Sequence, residues 1–218
     1  FDLVELEAGQ APAFGASNQP QSVGQGVAHN LWSADFHGPI MPVSPHHASI
    51  GGVLTYPDVA SLPMTPDLAI VCTPPETVPG LVAELGARGT RGVVVITAGF
   101  GEGGDPRGKA LQEEMLRAAR PNLLRVVGPN CLGLVVPPIE LNGSFAHLMP
   151  GKGDIAFVSQ SGAILVSVID WAVPRRIGFS HLVSLGGMAD VDFGDMLDYL
   201  AGEHGTRAIL LYVEAVTN

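Results

Sequence analysis

The stretch that most constrains this chain is Asp154 to Trp171, DIAFVSQSGAILVSVIDW. Ile155, Phe157 and Val158 form a short apolar run of strand length. Ile164 to Trp171 then carries apolar residues at helical spacing, and Pro174 closes the pattern. Ser159, Ser161 and Gly162 lie at the turn between them. They leave the first backbone N–H groups of the helix unpaired, with a partial positive charge of roughly half a unit. Two hydroxyls add further donors. A strand–turn–helix of this kind suits a phosphate or another anion, and an ordinary serine cap is the plainer alternative.

The same pattern recurs along the chain. Val23–Ser33 reads as a helix and Ile40–Val43 as a short strand. LAIVCT at 68–73 reads as a buried strand, with Pro75 opening a helix that runs to about Ala87. GVVVITAGF at 92–100 reads as a strand, 108–119 as a helix, and a strand around Val126 leads into GPNCLG at 128–133. After Asp154 come a strand at 154–158, a helix at 162–173, a strand at 181–184, a helix at 193–201 and a strand at 208–213. Repeated β–α–β with short connections and little alternation predicts parallel sheets covered on both faces. The expected fold is α/β. A Rossmann-like domain at 13–136 is followed by a linker at 137–153 and the first part of a truncated, flavodoxin-like parallel α/β domain at 154–218. Ala11–Phe14 reads at best as a damaged first strand, because Pro12 is awkward in a central one. Residues 1–12 stay unassigned. The chain reads as a piece of a longer protein, since it starts without Met and stops straight after a strand.

Acidic residues outnumber basic ones 21 to 11, for a net charge of −10, and no basic cluster appears. Nucleic acid is therefore not an expected partner. No apolar run reaches membrane-spanning length. Cys72 and Cys131 form no disulfide framework, which suits a reducing cytoplasm.

In such a sheet, ligands bind beyond the carboxyl ends of the strands. Those positions hold Gly15-Ala16-Ser17, Ser44-Pro45-His46, Thr73-Pro74-Pro75, Ala98-Gly99-Phe100 and Gly128-Pro129-Asn130-Cys131. Small and hydroxyl residues recur there, as close backbone approach to phosphate requires. The spacing of Gly15 and Gly24 is not that of a dinucleotide fingerprint. The second strand ends in Ser44-Pro45-His46-His47, without the acidic residue that holds a ribose hydroxyl. A histidine pair tolerates phosphate better than a carboxylate would, although a plain surface loop explains it too. No ligand spacing points to a metal. GGDPRGK at 103–109 nearly matches a Walker loop, but Ala110 stands where Ser or Thr should hold Mg²⁺, and Asp105 would put negative charge in the cradle. Cys131 reads as a packed residue. Glu214 ends an apolar strand where this fold exposes catalytic groups.

Together, ITAGFGE (96–102), GPNCLG (128–133), SQSGA (159–163) and SLGGMADVDFGD (184–195) resemble the nucleoside-diphosphate-forming acyl-CoA synthetases. That family includes the succinyl-CoA synthetase α-subunit and ADP-forming acetyl-CoA synthetases, and the resemblance runs from about Ala13 onward. It implies that Gly15, Ala16, Ser17, Ser22 and Gly24 hold the phosphates of CoA. It places Thr73, Pro74, Ala98, Gly99 and Phe100 along the nucleotide and pantetheine path, with Asn130 beside it. Family members often have Asn-Pro-Lys after the second strand, where this chain has Ser44-Pro45-His46. The implied chemistry runs through an acyl-phosphate, displacement of phosphate by CoA, and a phosphohistidine that exchanges its phosphoryl group with ADP or GDP. Ser161 and Gly162 match the helix N-terminus that receives the phosphohistidine, and Glu214 matches the acid that orients its ring. The histidine itself would lie beyond Asn218. ATP or ADP with Mg²⁺ would enter only through an ATP-grasp subunit or domain, with a small carboxylic acid as co-substrate and an oligomer as the working form. An alternative within the family is an acyl-CoA-sensing module fused to a Gcn5-related protein lysine acetyltransferase.

Overall fold

The computed structural model describes residues 11–215. The acidic segment expected to stand apart at 1–12 lies outside the described residues up to position 10. The chain forms two five-stranded sheets that share one core.

The first sheet is all parallel. Its strands are β1 (Ala11–Phe14), β2 (Ile40–Val43), β5 (Leu68–Val71), β6 (Gly92–Val95) and β7 (Arg125–Val127), in the order β2-β1-β5-β6-β7. A two-stranded ribbon, β3 (Ser49–Ile50) with β4 (Val53–Leu54), hangs from the β2 end. Helix α1 (Val23–Ser33) packs on one face. Helices α2 (Val78–Arg88) and α3 (Pro106–Ala119) cover the other. Alternate residues of one strand serve both faces. Leu68 and Ile70 meet α1, and Ala69 and Val71 meet α2. Both sides are therefore apolar, and the strand reads as a continuous run.

β1 is a full inner strand despite Pro12. It pairs with β2 along all four residues and with β5 only at Ala13 and Phe14. Pro12 therefore sits before the β5 ladder begins, where its missing N–H costs least. The expected strand at 92–100 stops at Val95. Ile96 still donates to the Val71 carbonyl at 3.0 Å, but Thr97 turns its hydroxyl onto the Thr73 carbonyl at 2.7 Å and Gly99 takes φ +104°.

The second sheet has the order β12-β10-β11-β8-β9. Its strands are β8 (Gly133–Val136), β9 (Leu141–Ser144), β10 (Lys152–Ser159), β11 (Phe179–Ser184) and β12 (Ala208–Tyr212). β10, β11 and β12 run parallel, whereas β8 pairs antiparallel with both β9 and β11. The 137–153 stretch expected to be a linker thus carries β9 and the start of β10. Its polar residues hid the strand. Asn142 and Ser144 are buried because the Ser144 hydroxyl donates to Asn142 Oδ1 at 2.7 Å and accepts from the Ala146 N–H at 3.1 Å. Helix α4 (Gly162–Ala172) covers one face of this sheet. Helix α5 (Phe193–Gly202) joins α1 and the first sheet on the other.

The halves are tied by polar contacts as well as by core. Asn30 of α1 donates to the carbonyls of Ser144 and Ala146 at 2.8 and 2.7 Å. Arg125 reaches Asp190 at 2.9 Å and Asp195 at 2.8 Å. Asp195 also closes a capping box with Asp192 at the start of α5.

His181, on β11, is buried, with Nε2 3.3 Å from the Tyr199 hydroxyl and Nδ1 without a partner. Burial holds its pKa below the ordinary 6.5, against the weaker opposing pull of Glu203. The folded state thus resists a proton that the unfolded chain accepts. Stability is complete above about pH 6.5 and falls as the pH drops below it. Urea unfolding at pH 7 and pH 5 should show a larger loss for the native chain than for His181→Gln. Equal losses would contradict this assignment.

Candidate functional site

The carboxyl ends of β1, β2 and β5 open into a cleft of about 690 Å³. Gly15, Ala16 and Ser17 form its floor, Ser44 to His47 one wall, and Thr73, Pro74 and Thr77 another. Gly15 must be glycine twice over. Its φ is +79°, and a Cβ there would stand 2.9 Å from the Cys72 carbonyl carbon and oxygen. The Pro57–Val59 rim is pinned by Arg88, whose guanidinium donates to the carbonyls of Val59, Ala60 and Leu62.

Of the residues expected here, Gly15, Ala16, Ser17, Pro45, His46, Thr73 and Pro74 line the cleft. Ser22 and Gly24 do not, and they act on its floor from behind. The Ser22 hydroxyl accepts from Gln25 N–H at 3.2 Å and donates to the Gln19 carbonyl at 2.9 Å, so it caps α1. Gly24 lets the first turn of α1 press against the Gly15 carbonyl, where a Cβ would sit 2.0 Å from the oxygen. His47, read in the sequence as half of a histidine pair, also lines the cleft, as do Gln19, Thr77 and the acids Asp58 and Glu84, none of which sequence reasoning singled out.

Ala98, Gly99 and Phe100 lead away from this cleft. The N–H groups of Gly99 and Phe100 both donate to Glu102 Oε2, at 2.9 and 2.8 Å. Gly99 lies against Pro75, and Ala98 is exposed. Phe100 lines a second, smaller cleft of about 390 Å³ with Glu102, Lys109, Pro129 and Gly187. The Walker-like 103–109 segment is a capped helix start, with Asp105 accepting from the Arg107 N–H at 3.1 Å.

The second site element is the turn after β10. Ser161 caps α4 by accepting from the Ile164 N–H at 3.4 Å. The N–H groups of Gly162 and Ala163 are left without an intrahelical acceptor. Ser159 is not a free donor as expected: it is fully buried, and its hydroxyl bonds to the Ser161 carbonyl at 2.8 Å. Glu214 is exposed just beyond β12. Gln160, passed over in the sequence, holds it there: its Oε1 accepts from the N–H of Glu214 at 2.6 Å and of Ala215 at 2.9 Å. Replacing Gln160 by leucine should speed amide exchange at 214 and 215 by about tenfold. Unchanged exchange there would show that the clamp carries no force.

The four motif loops meet between the sheets. Asn130 N–H donates to the Thr97 carbonyl at 2.9 Å. Gly187 and Ala189 donate to the carbonyls of Pro129 and Gly128 at 2.8 and 3.0 Å. Leu132 N–H reaches the Ser184 hydroxyl at 3.0 Å, and Leu185 N–H reaches the Ser159 carbonyl at 2.8 Å. Gly162 sits on Leu132, its Cβ position 3.2 Å from that side chain. Asn130 itself is exposed with φ +55°. Burial pushes the thiols of Cys131 and Cys72 up to about 12. Neither is a poised nucleophile, and Cys131 is a packed residue bonded to the Val95 carbonyl at 3.3 Å. Among the described residues no cluster suits a metal ion, and no helix is long and apolar enough to cross a membrane.

Residues 13–137 match the family described as CoA binding domain, and 152–218 match the succinyl-CoA ligase like flavodoxin domain. The chain belongs to the NDP-forming acyl-CoA synthetase family. Among relatives in this family, an ADP-forming acetate–CoA ligase I of Archaeoglobus fulgidus is 42% identical over 93% of the chain, which covers 29% of that protein. The α subunit of an ADP-forming acetate–CoA ligase II of Pyrococcus furiosus is 39% identical over 93% of the chain, covering 44% of that subunit. An acetyl-coenzyme A synthetase 1 from Ca. Korarchaeum cryptofilum superposes with a TM-score of 0.92 at 35% identity, covering 99% of this chain and 47% of that one. The same synthetase is known in complex with phosphate and ADP. The chain thus spans less than half the length of these relatives.

Proposed function

We propose that this chain is the CoA-binding portion of an ADP-forming acid–CoA ligase, which joins a small carboxylic acid to CoA as ATP becomes ADP and phosphate. The observation that carries the reading is the convergence of the four motif loops between two sheets, beside a cleft floored by Gly15-Ala16-Ser17. The cleft would take the nucleotide end of CoA. Its glycine-lined floor admits close backbone approach, and α1 points its capped N-terminus at the same loop.

The turn after β10 would serve the phosphoryl group. Phosphoryl transfer depends on positioning and charge stabilisation more than on covalent help. The N–H groups of Gly162 and Ala163 offer that at the start of α4, and the Ser161 hydroxyl fixes the turn. Glu214, held by Gln160, would orient the ring of a phosphorylated histidine supplied from beyond Asn218. Nucleotide and Mg²⁺ would be bound by an ATP-grasp partner subunit or domain, within an oligomer. We assign residues 13–136 to CoA binding and 154–218 to the ligase portion, in a protein of the reducing cytoplasm, in keeping with two free cysteines. No observation favours the acetyltransferase alternative.

The test uses the full-length protein with any ATP-grasp subunit. Incubation with γ-labelled ATP should give an acid-labile, base-stable phosphoprotein, discharged by adding acetate and CoA with formation of acetyl-CoA. Absence of both label and thioester would overturn the proposal.

A further inference from the structure

Gln160 joins two parts of the proposed phosphoryl site. Its backbone N–H donates to the Tyr212 carbonyl at 3.1 Å, one bond beyond the β10–β12 ladder. Its side-chain Oε1 accepts from the N–H groups of Glu214 and Ala215 at 2.6 and 2.9 Å. The next residue, Ser161, caps α4. One side chain therefore ties the segment carrying Glu214 to the turn that opens α4.

Two N–H donors on one oxygen also fix the orientation of the carboxamide, because its own NH₂ turned toward them would set donor against donor. Nε2 is thus the end turned away from the backbone of 214 and 215. Its two N–H groups have no acceptor among the described residues. The clamp itself needs only an acceptor, and a carboxylate would serve both N–H groups as well as an amide does. The nitrogen is left to be accounted for. Its surroundings favour an anion that is short of donors. Neither 159–163 nor 212–215 contains a lysine or arginine, and Glu214 adds negative charge. The Ser159 hydroxyl is spent on the Ser161 carbonyl. A phosphoryl group offers acceptors only, and a charge-assisted bond to it is stronger than one between neutral groups.

Resting on the reading of this turn as the phosphoryl site, we infer that Gln160 contacts the phosphoryl group through Nε2, as a third donor beside the N–H groups of Gly162 and Ala163. Its oxygen holds Glu214 in place, and its nitrogen holds the group that the ring would carry. In the half-reaction without nucleotide, a phosphate oxygen attacks the thioester carbonyl of acetyl-CoA. CoA leaves as a thiolate and takes up the proton that phosphate loses. A neutral ring nitrogen then gives its lone pair to phosphorus as the P–O bond to acetate breaks, and acetate leaves with the electron pair. The phosphoryl oxygens stay negatively charged through both steps, so a donor upon them acts in each.

The experiment is label transfer from inorganic ³²P-phosphate plus acetyl-CoA to the full-length protein with any ATP-grasp subunit, for the native protein, Gln160→Glu and Gln160→Met. Gln160→Glu keeps the acceptor and loses the donor. It should retain native amide exchange at 214 and 215, yet raise the KM for phosphate by about tenfold or more. The KM for acetyl-CoA should stay within about twofold of native. Gln160→Met loses both ends without adding charge, and should raise the KM for phosphate and the exchange together. A native KM for phosphate in Gln160→Glu would overturn the inference, leaving Gln160 a clamp alone. A rise in Gln160→Glu with none in Gln160→Met would trace the effect to added charge and overturn it equally. No label on the native protein would overturn the phosphohistidine reading, and the inference with it.

Discussion

Replacing Gly24 by alanine is expected to abolish CoA binding, with an affinity loss of at least about a hundredfold. A Cβ at 24 would stand 2.0 Å from the Gly15 carbonyl oxygen and 3.0 Å from its carbon. Neither atom can retreat easily. Gly15 itself is wedged against the Cys72 backbone at 2.9 Å. The first turn of α1 must therefore move off the floor of the cleft, taking with it the N–H groups that face the ligand. Overpacking of this kind costs about 1–3 kcal/mol of stability as well. Gly26, one half-turn along the same helix, is the control. A Cβ there meets Phe145 at 3.4 Å, an ordinary contact, and Gly26 has ordinary helical backbone. Gly26→Ala should leave CoA affinity intact and raise stability by up to about 1 kcal/mol. Calorimetry and urea unfolding on both variants decide the matter. Equal behaviour of the two would show that the α1 contact does not shape the site.

The second large effect is expected at Gly186. Its φ of +53° disfavours a side chain, and a Cβ would lie 2.3 Å from the Pro129 carbonyl oxygen and 2.4 Å from that of Asn130. These are backbone atoms of the loop onto which Gly187 and Ala189 hydrogen-bond. Gly186→Ala should cost about 3 kcal/mol or more, through strain and overpacking together, and lower the urea midpoint accordingly. Gly187→Ala, whose Cβ would stand 3.4 Å from the same Pro129 oxygen, should cost less than about 1 kcal/mol. A small effect at both positions would mean that the two halves of the chain are not joined through this loop. Asn30 then remains as one polar tie between them, and Arg125 with Asp190 and Asp195 as another. These side chains are about a third exposed, and solvent limits what such pairs contribute.

These two glycines also mark how far the sequence could be read. The helices and parallel strands follow from apolar period and punctuation. α1 and β2 begin and end where Ser22, Ser33 and Ser44-Pro45 suggest. Gly15 and Ser17, which line the cleft, raise the expectation of a phosphate loop by residue type alone. The purpose of Gly24 is different, because it is set by a contact with a residue nine positions away. Ser22 and Gly24 therefore looked like ligand contacts, whereas Ser22 caps α1 and Gly24 packs against the Gly15 carbonyl.

Other features were hidden for the same reason, that their cause is tertiary. β9 contains Asn, Gly and Ser, and it becomes a buried strand through hydrogen bonds within the hairpin and the close approach of Ile70 to Gly143. β1 accepts Pro12 because its neighbour β5 begins pairing a residue later. Gln160 carries no motif weight beyond its place in SQSG. Its amide reaches across to residues 214 and 215, more than fifty positions on. Hydroxyls mislead in the opposite direction. Ser159 and Ser22 are the right type for anion donors, yet each is committed to the backbone beside it.

The proposed CoA site is the cleft at the ends of β1, β2 and β5. The most direct measurement is calorimetric titration of the chain with CoA and, separately, with NAD⁺, followed by hydrogen exchange on the saturated protein. One CoA per chain should bind, with new protection at 15–17, 44–47 and 73–77, and NAD⁺ should give no heat. Binding of NAD⁺ without CoA, or CoA protection confined to other loops, would contradict it.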